Sequence, residues 1–480
     1  MAKRKRNTNG EPVFTNAPIP AKKVKAATST SNGPITIQIV AGSYDRVLHG
    51  ITATISSKDE VQFADTFLFN AHASAIRCLA ISPASAPAPK QTQKVILASG
   101  STDERINLYH LSANAPSKIT VPVIPSLTSK AVVENPQNRE LGSLLHHASS
   151  VTALYFPNRS KLLSSAEDNT IAVTRTRDWS LLSTIKAPNP KPVGRPSGDT
   201  APMGTAPNGV NDFAVHPSMK LMISVGKGEK SMRLWNLVTG KKAGVLNFDR
   251  GILTEVGEDR HSSGEGRKVA WGSTDTGDEF CVGFERGVLV FGMDSKPKCK
   301  VVPEPRTKIQ ELCYVQVEEE DDVQLMALST EDGRILFYST KQKDLVEGKE
   351  VEGKDTPLPS AKLIAQLGGK DIGLSGRIKD FSVLTIEEGS TKDFIVVAAG
   401  SDGALRLWRI SASKDLASHD EKVKQIGKLL GTCETGNRIT CLKAFVMLPK
   451  IEGAEDDDIG DLEGLEQGED GEESNESDSE

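Results

Sequence analysis

Four aspartates, Asp103, Asp168, Asp332 and Asp402, are the residues whose type first suggests chemistry, since a carboxylate can serve as acid, base or metal ligand. Their contexts are STDER, AEDNT, TEDGR and SDGAL, in each case a short polar turn between two apolar runs. An aspartate in such a turn accepts hydrogen bonds from the backbone just beyond it and fixes a tight bend. Recurrence at equivalent positions therefore assigns the four to turns rather than to catalysis.

The other reactive types lead the same way. His72 precedes an apolar run and is placed to hydrogen-bond within its own unit, and His146 and His147 hold a similar position before Ser150. None has partner ligands at metal-binding spacing. Six cysteines, at 78, 281, 299, 313, 433 and 441, show no CxxC spacing and several lie in apolar runs, as reduced buried thiols do. The segments GKGEKS (226–231) and TGKK (239–242) lack phosphate-loop spacing, and WGSTDTGDEF (271–280) lacks the ligand pattern of a calcium loop. No catalytic, cofactor-binding or metal-binding residue is assigned, and no Ser/His/Asp set can be argued from sequence to meet in space. The expectation is a protein that is not an enzyme and has no small-molecule substrate.

The elements that position these residues are pairs of strands joined by a polar turn, the second usually ending in an aromatic. Copies occur at 35–54, 95–109, 161–174, 220–235, 278–291, 323–338 and 393–408. Tyr109, Trp235, Phe291, Tyr338 and Trp408 end five of them; the copy at 161–174 ends in Thr174 instead. Each pair is normally preceded by an inner strand, as at 74–83, 150–158 and 209–218, and followed by an outer one, as at 241–248. Periodic four-stranded units marked by aromatics predict an all-β fold, a seven-bladed WD40-type β-propeller. The first unit lacks an inner strand, and RITCLKAFVM (438–447) is a spare one following an outer strand near 424–430, so the C-terminal strand is expected to close the first blade. Polar insertions at 82–94, 112–140, 186–208 and 340–360 are expected to rim the disc.

The charge is uneven. Residues 451–480 carry fifteen carboxylates and no Lys or Arg, which leaves 58 Lys and Arg against 49 Asp and Glu before them. Residues 1–25 hold seven of those cations and one acid, so the middle is only mildly basic. The expected organisation is a disordered basic arm (1–33), the propeller (34–448) and a disordered acidic tail (449–480). Lys3-Arg4-Lys5-Arg6 and Lys22-Lys23-Val24-Lys25 read as a bipartite import signal, with RNA phosphates as a second ligand class. No aromatics interleave with these cations, so base reading is not indicated. In the tail, Ser477 precedes Glu480 at the spacing an acidophilic kinase uses. No stretch reads as a signal peptide or membrane span.

The stretches IVAGSYDRVLHGI, FNAHASAIRCLAISP, LASGSTDERINLYHL, LGSLLHHASSVTALYF and AEDNTIAVTRTRDWSLL make the chain resemble the p21-activated kinase 1-interacting protein and fungal maintenance-of-killer WD-repeat family. RDW at 177–179 together with RLWNLVTGKKA at 233–243 is the most specific part of the likeness. The resemblance implies a nuclear and nucleolar scaffold in early pre-60S large-subunit assembly and pre-rRNA processing. Its implied partners are pre-60S assembly factors and ribosomal proteins; the basic clusters themselves point to an import receptor on Lys3–Arg6 and Lys22–Lys25 and to pre-rRNA contact through the arm, and the chain shows no membrane-binding pattern. Restraint of a p21-activated-type kinase and histone binding are the alternatives. The chain departs from the WD ending, since Trp235 is followed by Asn236 and Trp408 by Arg409. Arg105, Lys227, Lys230 and Arg406 stand in blade turns as candidate contact residues.

Overall fold

The middle strands read as continuous apolar runs rather than alternating ones because both faces of each sheet are covered. Lys94–Ser101, for example, is buried from its second residue to its last. The structure is a computed structural model describing residues 34–87, 91–115, 123–125, 131–133, 135–190, 208–258, 262–317, 324–348, 357–372, 374, 376–388, 391–416 and 423–449. The expected basic arm and nearly all of the expected acidic tail lie outside these residues.

The strands form seven antiparallel sheets arranged as blades. Blade 1 holds Ile35–Ser43, Val47–Ile55 and Val61–Asn70, and its innermost strand is Ile439–Val446. Blades 2 to 7 each run outward in chain order, starting at Ile76, Val151, Val210, Lys268, Ile309 and Ile378. Successive innermost strands touch one another all the way round, so the ring is closed. The predicted closure holds: Ile37 pairs with Val446 and Ser43 with Ile439, with a bulge at Gly42.

Seven apolar clusters fill the seven seams between blades. At the closing seam Ile395, Val397, Leu405 and Leu407 pack on Ile37, Ile39, Ile51 and Leu442, all essentially inaccessible. Each such side chain contributes about 1.5–3 kcal/mol on burial. The aromatics Tyr109, Trp235, Phe291, Tyr338 and Trp408 are all buried in these seams.

Two details differ from the sequence reading. The last outer strand is Lys428–Glu434 rather than 424–430, because Lys424–Gln425 instead adds in parallel to the outer strand of blade 6, Lys362–Gly368. The insertion at 112–140 folds in part into a hairpin, Val123–Pro125 with Ala131–Val133, which adds to the outer strand of blade 1 at Asp65↔Val132. Both cover an outer edge whose backbone groups would otherwise be unpaired. A helix, Arg250–Glu255, stands between blades 4 and 5; the Asp249 side chain caps it by accepting from Ile252 N, and Leu253 and Val256 seal the seam.

Candidate functional site

The turn between the second and third strands of each blade places the sequence-predicted aspartates as expected. Asp103 accepts from Arg105 N at 3.1 Å and from Ala73 N at 2.9 Å. Asp168 accepts likewise from Thr170 N and Ala148 N. Each thus ties its turn to the loop entering its blade. Burial opposes ionisation of both carboxyls, but these backbone donors and the adjacent histidines hold them below the usual range.

The histidines complete an arrangement that sequence reasoning did not find. His72 donates from Nδ1 to Asp103 Oδ2 at 3.0 Å and accepts at Nε2 from Ser99 Oγ at 2.8 Å. His147 repeats this with Asp168 at 3.3 Å and Ser164 at 2.8 Å. These are Ser/His/Asp triads in connectivity, yet both histidine side chains are 0% exposed and Ser99 and Ser164 are 0% and 1% exposed. A nucleophile needs an approach path, and here the hydroxyl lies inside a sheet. Duplication in neighbouring blades confirms a bracing role. The available signal was the spacing Ser-Gly-Ser-Thr-Asp (99–103) and Ser-Ser-Ala-Glu-Asp (164–168), each downstream of a histidine. His146 stands beside the second triad and takes no part in it.

Elsewhere acid–arginine pairs replace histidine–aspartate. Arg334 pairs with Asp332 at 2.7 Å and Arg406 with Asp402 at 2.8 Å, while Arg233 pairs with Glu229 in blade 4, whose turn lacks the aspartate. Trp235 donates from Nε1 to Ser224 Oγ at 2.8 Å, whereas the buried Trp408 Nε1 has no acceptor among the described residues.

The same turns meet the channel mouth. In blade after blade a backbone rung joins the residue after the second strand to the residue before the innermost one: Glu167 to Ser150, Lys227 to Gly209, Glu331 to Lys308, Ser401 to Arg377 and Tyr44 to Arg438. The ring of rungs gathers charged side chains from all around the disc. Glu167 is shared by Arg77 at 2.6 Å and Lys227 at 2.5 Å. Glu285 is shared by Arg267 at 3.3 Å and Lys308 at 3.2 Å. Glu331 takes Arg377 at 3.1 Å. Lys379 donates to Gln310 at 3.2 Å, and Arg438 lies over the Tyr44 ring at 5.4 Å. Partial burial, then Arg377 and Arg438, push the Lys379 ammonium below its ordinary pKa.

Beneath the mouth five consecutive innermost strands carry Asp212, Lys268, Glu311, Asp380 and Lys443. Lys268 bonds Glu311 at 2.6 Å, and Asp380 accepts from Leu442 N of the closing strand at 2.7 Å. Burial pushes Asp212 up to about 6 despite Lys268, and burial also raises Asp380. Of the predicted contact residues, Lys227 and Arg406 are held in ion pairs, whereas Arg105 and Lys230 are exposed. Among the described residues, no group of three or more His, Cys, Asp or Glu could hold a metal ion.

The family model for the WD domain, G-beta repeat, matches residues 138–173, a window that contains His147, Ser164 and Asp168. Protein MAK11 of Saccharomyces cerevisiae is 28% identical over 454 residues, 88% of either chain. The p21-activated protein kinase-interacting protein 1-like of Xenopus laevis is 24% identical over 85% of this chain and 82% of its own. Shk1 kinase-binding protein 15 of Schizosaccharomyces pombe is 24% identical over 65% and 71%. The chain is similar to these WD-repeat proteins over most of its length. In this chain the repeat is distributed unevenly: blades 2 and 3 keep the histidine-braced turn, while blades 4, 6 and 7 brace it with arginine.

Proposed function

We infer that the chain is a non-enzymatic scaffold in ribosome assembly, acting on early nucleolar pre-60S particles and in pre-rRNA processing. The observation that carries this is the end-to-end relationship with Protein MAK11, 88% of both chains, on a closed propeller whose two Ser/His/Asp sets are buried. A rigid ring with charged loops on one face suits simultaneous contacts with several partners, the use to which such scaffolds are put. Pre-60S assembly factors and ribosomal proteins are its partners. The basic clusters at Lys3–Arg6 and Lys22–Lys25 serve an import receptor and supply contact to pre-rRNA phosphates, and the protein resides in the nucleus and nucleolus.

Tagged protein purified from nuclear extract and sedimented on a gradient is expected to travel with large-subunit precursor rRNA and assembly factors. Slow-sedimenting complexes without pre-rRNA overturn the reading. The names of the Xenopus and Schizosaccharomyces relatives describe kinase binding, which favours a second reading as a kinase adaptor. Its signature in the same experiment is a kinase in the slow fractions.

A further inference from the structure

We propose that the turns of blades 3 and 4 on the face opposite the backbone rungs form a docking surface for the chain's own acidic tail, residues 451–480, a contact that stands whichever reading of the scaffold's pathway holds. Antiparallel strands put the links between first and second strands, and between third and fourth, on that face. Over 155–163, 173–185, 215–223 and 235–246 the chain there carries seven cations, from Arg159 to Lys242, against one carboxylate, Asp178. Arg159 is half-buried and the other six are exposed. Asp178 pairs with Arg175 at 3.2 Å, and Lys161 stands directly opposite Arg175 across the strand pair. Lys161, Arg177, Lys220, Lys241 and Lys242 make no ion pair among the described residues. Like charges directly opposite in a sheet are unfavourable, and an anion from outside the blades removes that cost. The neighbouring turns do not cancel the surplus. On blade 2, Lys94 and Arg139 stand with Glu140; on blade 5, Lys296 and Lys298 stand with Asp275, Asp278, Glu279 and Asp294. Across the four blades this face has eleven cations to six carboxylates among the described residues.

The exit of the chain selects the occupant. Beyond the closing strand Ile439–Val446, Leu448 lies parallel to Asn114, donating to Ala113 O and accepting from Ala115 N. Asn114 Nδ2 then donates to Pro449 O at 2.9 Å. The chain thus crosses from blade 1 to the end of the third strand of blade 2, on the face in question and beside blade 3. Asn114 Oδ1 accepts from Gln93 N at 3.0 Å, and the next carbonyl, Lys94 O, accepts from Arg159 Nη1. The first cation of the patch is therefore joined to Pro449 through Asn114 and Gln93–Lys94. Residues 451–480 supply fifteen carboxylates and no Lys or Arg. A segment of that length has an r.m.s. reach of about 30 Å, and tethering holds it near the patch at about millimolar effective concentration. An acidic segment of another protein has no such advantage. The contact is exposed and screened by salt, so it adds little to folding stability.

The test is zero-length carbodiimide cross-linking of the full chain, mixed in equal parts with isotope-labelled chain, the linked peptides being read by mass spectrometry. Links within one copy from carboxylates of 451–480 to Lys161, Lys220, Lys241 and Lys242 are expected, and their loss at high salt. Arg177→Glu combined with Lys241→Glu and Lys242→Glu is expected to lower the yield at the untouched Lys161 and Lys220 about fivefold, since three exposed charges are reversed. Lys343→Glu with Lys370→Glu and Lys414→Glu, at exposed positions in and beside blades 6 and 7, is expected to leave those links unchanged. Links spread evenly over all exposed lysines overturn the proposal. Links confined to Lys3, Lys5, Lys22, Lys23 and Lys25 overturn it in favour of the basic arm, and links found only between labelled and unlabelled copies overturn it in favour of a second copy. A tail without links, together with binding of a labelled RNA duplex that weakens in the first variant, overturns it in favour of a nucleic-acid surface.

Discussion

At the scale of single residues, the same blade position is solved in different ways and one copy is left incomplete. Ser99, Ser164 and Ser224 sit two residues beyond the partner of their blade's third-strand end residue, and Ser224 accepts from Trp235. In blade 7 that position is Ala398, and Trp408 Nε1 is buried without an acceptor among the described residues. An unsatisfied buried donor costs about 1–3 kcal/mol. Ala398→Ser is therefore expected to raise stability by about 1 kcal/mol, read as a higher urea midpoint at unchanged slope. A lower midpoint shows that the hydroxyl is overpacked.

The titrating residues oppose one another. His72, held neutral by burial, has its pKa lowered, so its contribution is present above 6.5 and lost as pH falls below it. The depressed Asp103 and Asp168 lose theirs further down, as pH falls through the carboxylate range. Asp212, raised to about 6, works in the opposite sense: the folded form takes up a proton first, so its contribution grows as pH falls from 6 toward 3.8. Asp212→Asn is expected to lose more stability than the parent between neutral pH and pH 4, measured by urea midpoints across that range. Parallel curves for the two proteins contradict the assignment.

At the scale of the elements, the seams hold polar groups as well as apolar ones. Glu279, 1% exposed in the second strand of blade 5, is met by Lys298 Nζ at 2.9 Å, Tyr314 Oη at 3.0 Å and Thr340 Oγ1 at 2.6 Å. These partners come from the same blade and the next one, so the cluster pins blade 5 to blade 6. Lys298→Met removes the one cation and leaves a buried carboxylate; the expected loss is about 3–5 kcal/mol, checked by chemical unfolding. A loss below about 1 kcal/mol, the range of an exposed pair, would falsify this account.

Element by element, what was legible in the sequence is what repeats locally. Strand pairs, turn aspartates and end aromatics recur within a few residues of one another, and the spare strand at 438–447 was recognisable because blade 1 lacked one. What depends on distant residues was not legible. Ser99 meets His72 from 27 residues away, and Glu167 of blade 3 meets Arg77 of blade 2 and Lys227 of blade 4 across the ring. Lys424–Gln425 was assigned to blade 7 because chain order suggested it, yet it adds to the edge of blade 6, a choice decided by where an unpaired edge is available.

At the scale of the whole molecule, stability rests on the ring being closed. Asp380 of blade 7 grips Leu442 N, and Thr440 Oγ1 contacts both Gly42 O and Ile76 O, so the last strand touches blades 7, 1 and 2 together. Removing 436–480 is expected to open the first blade and give an aggregating protein without a cooperative unfolding transition. Removing only 451–480 is expected to leave the midpoint unchanged, which follows from the proposed boundary near residue 448. Size-exclusion chromatography with urea denaturation distinguishes them; a monomeric, cooperatively unfolding shorter form contradicts the closure argument.

That clasp also fixes an order in time. Thr440, 398 positions beyond its partner Gly42, is synthesised roughly 20–80 s later at about 5–20 residues per second. For that interval the first blade to emerge waits with its inner edge bare, beside the translating ribosome. The protein is therefore made with its first sheet edge exposed longest, and that edge is covered only when the strand Ile439–Val446 arrives.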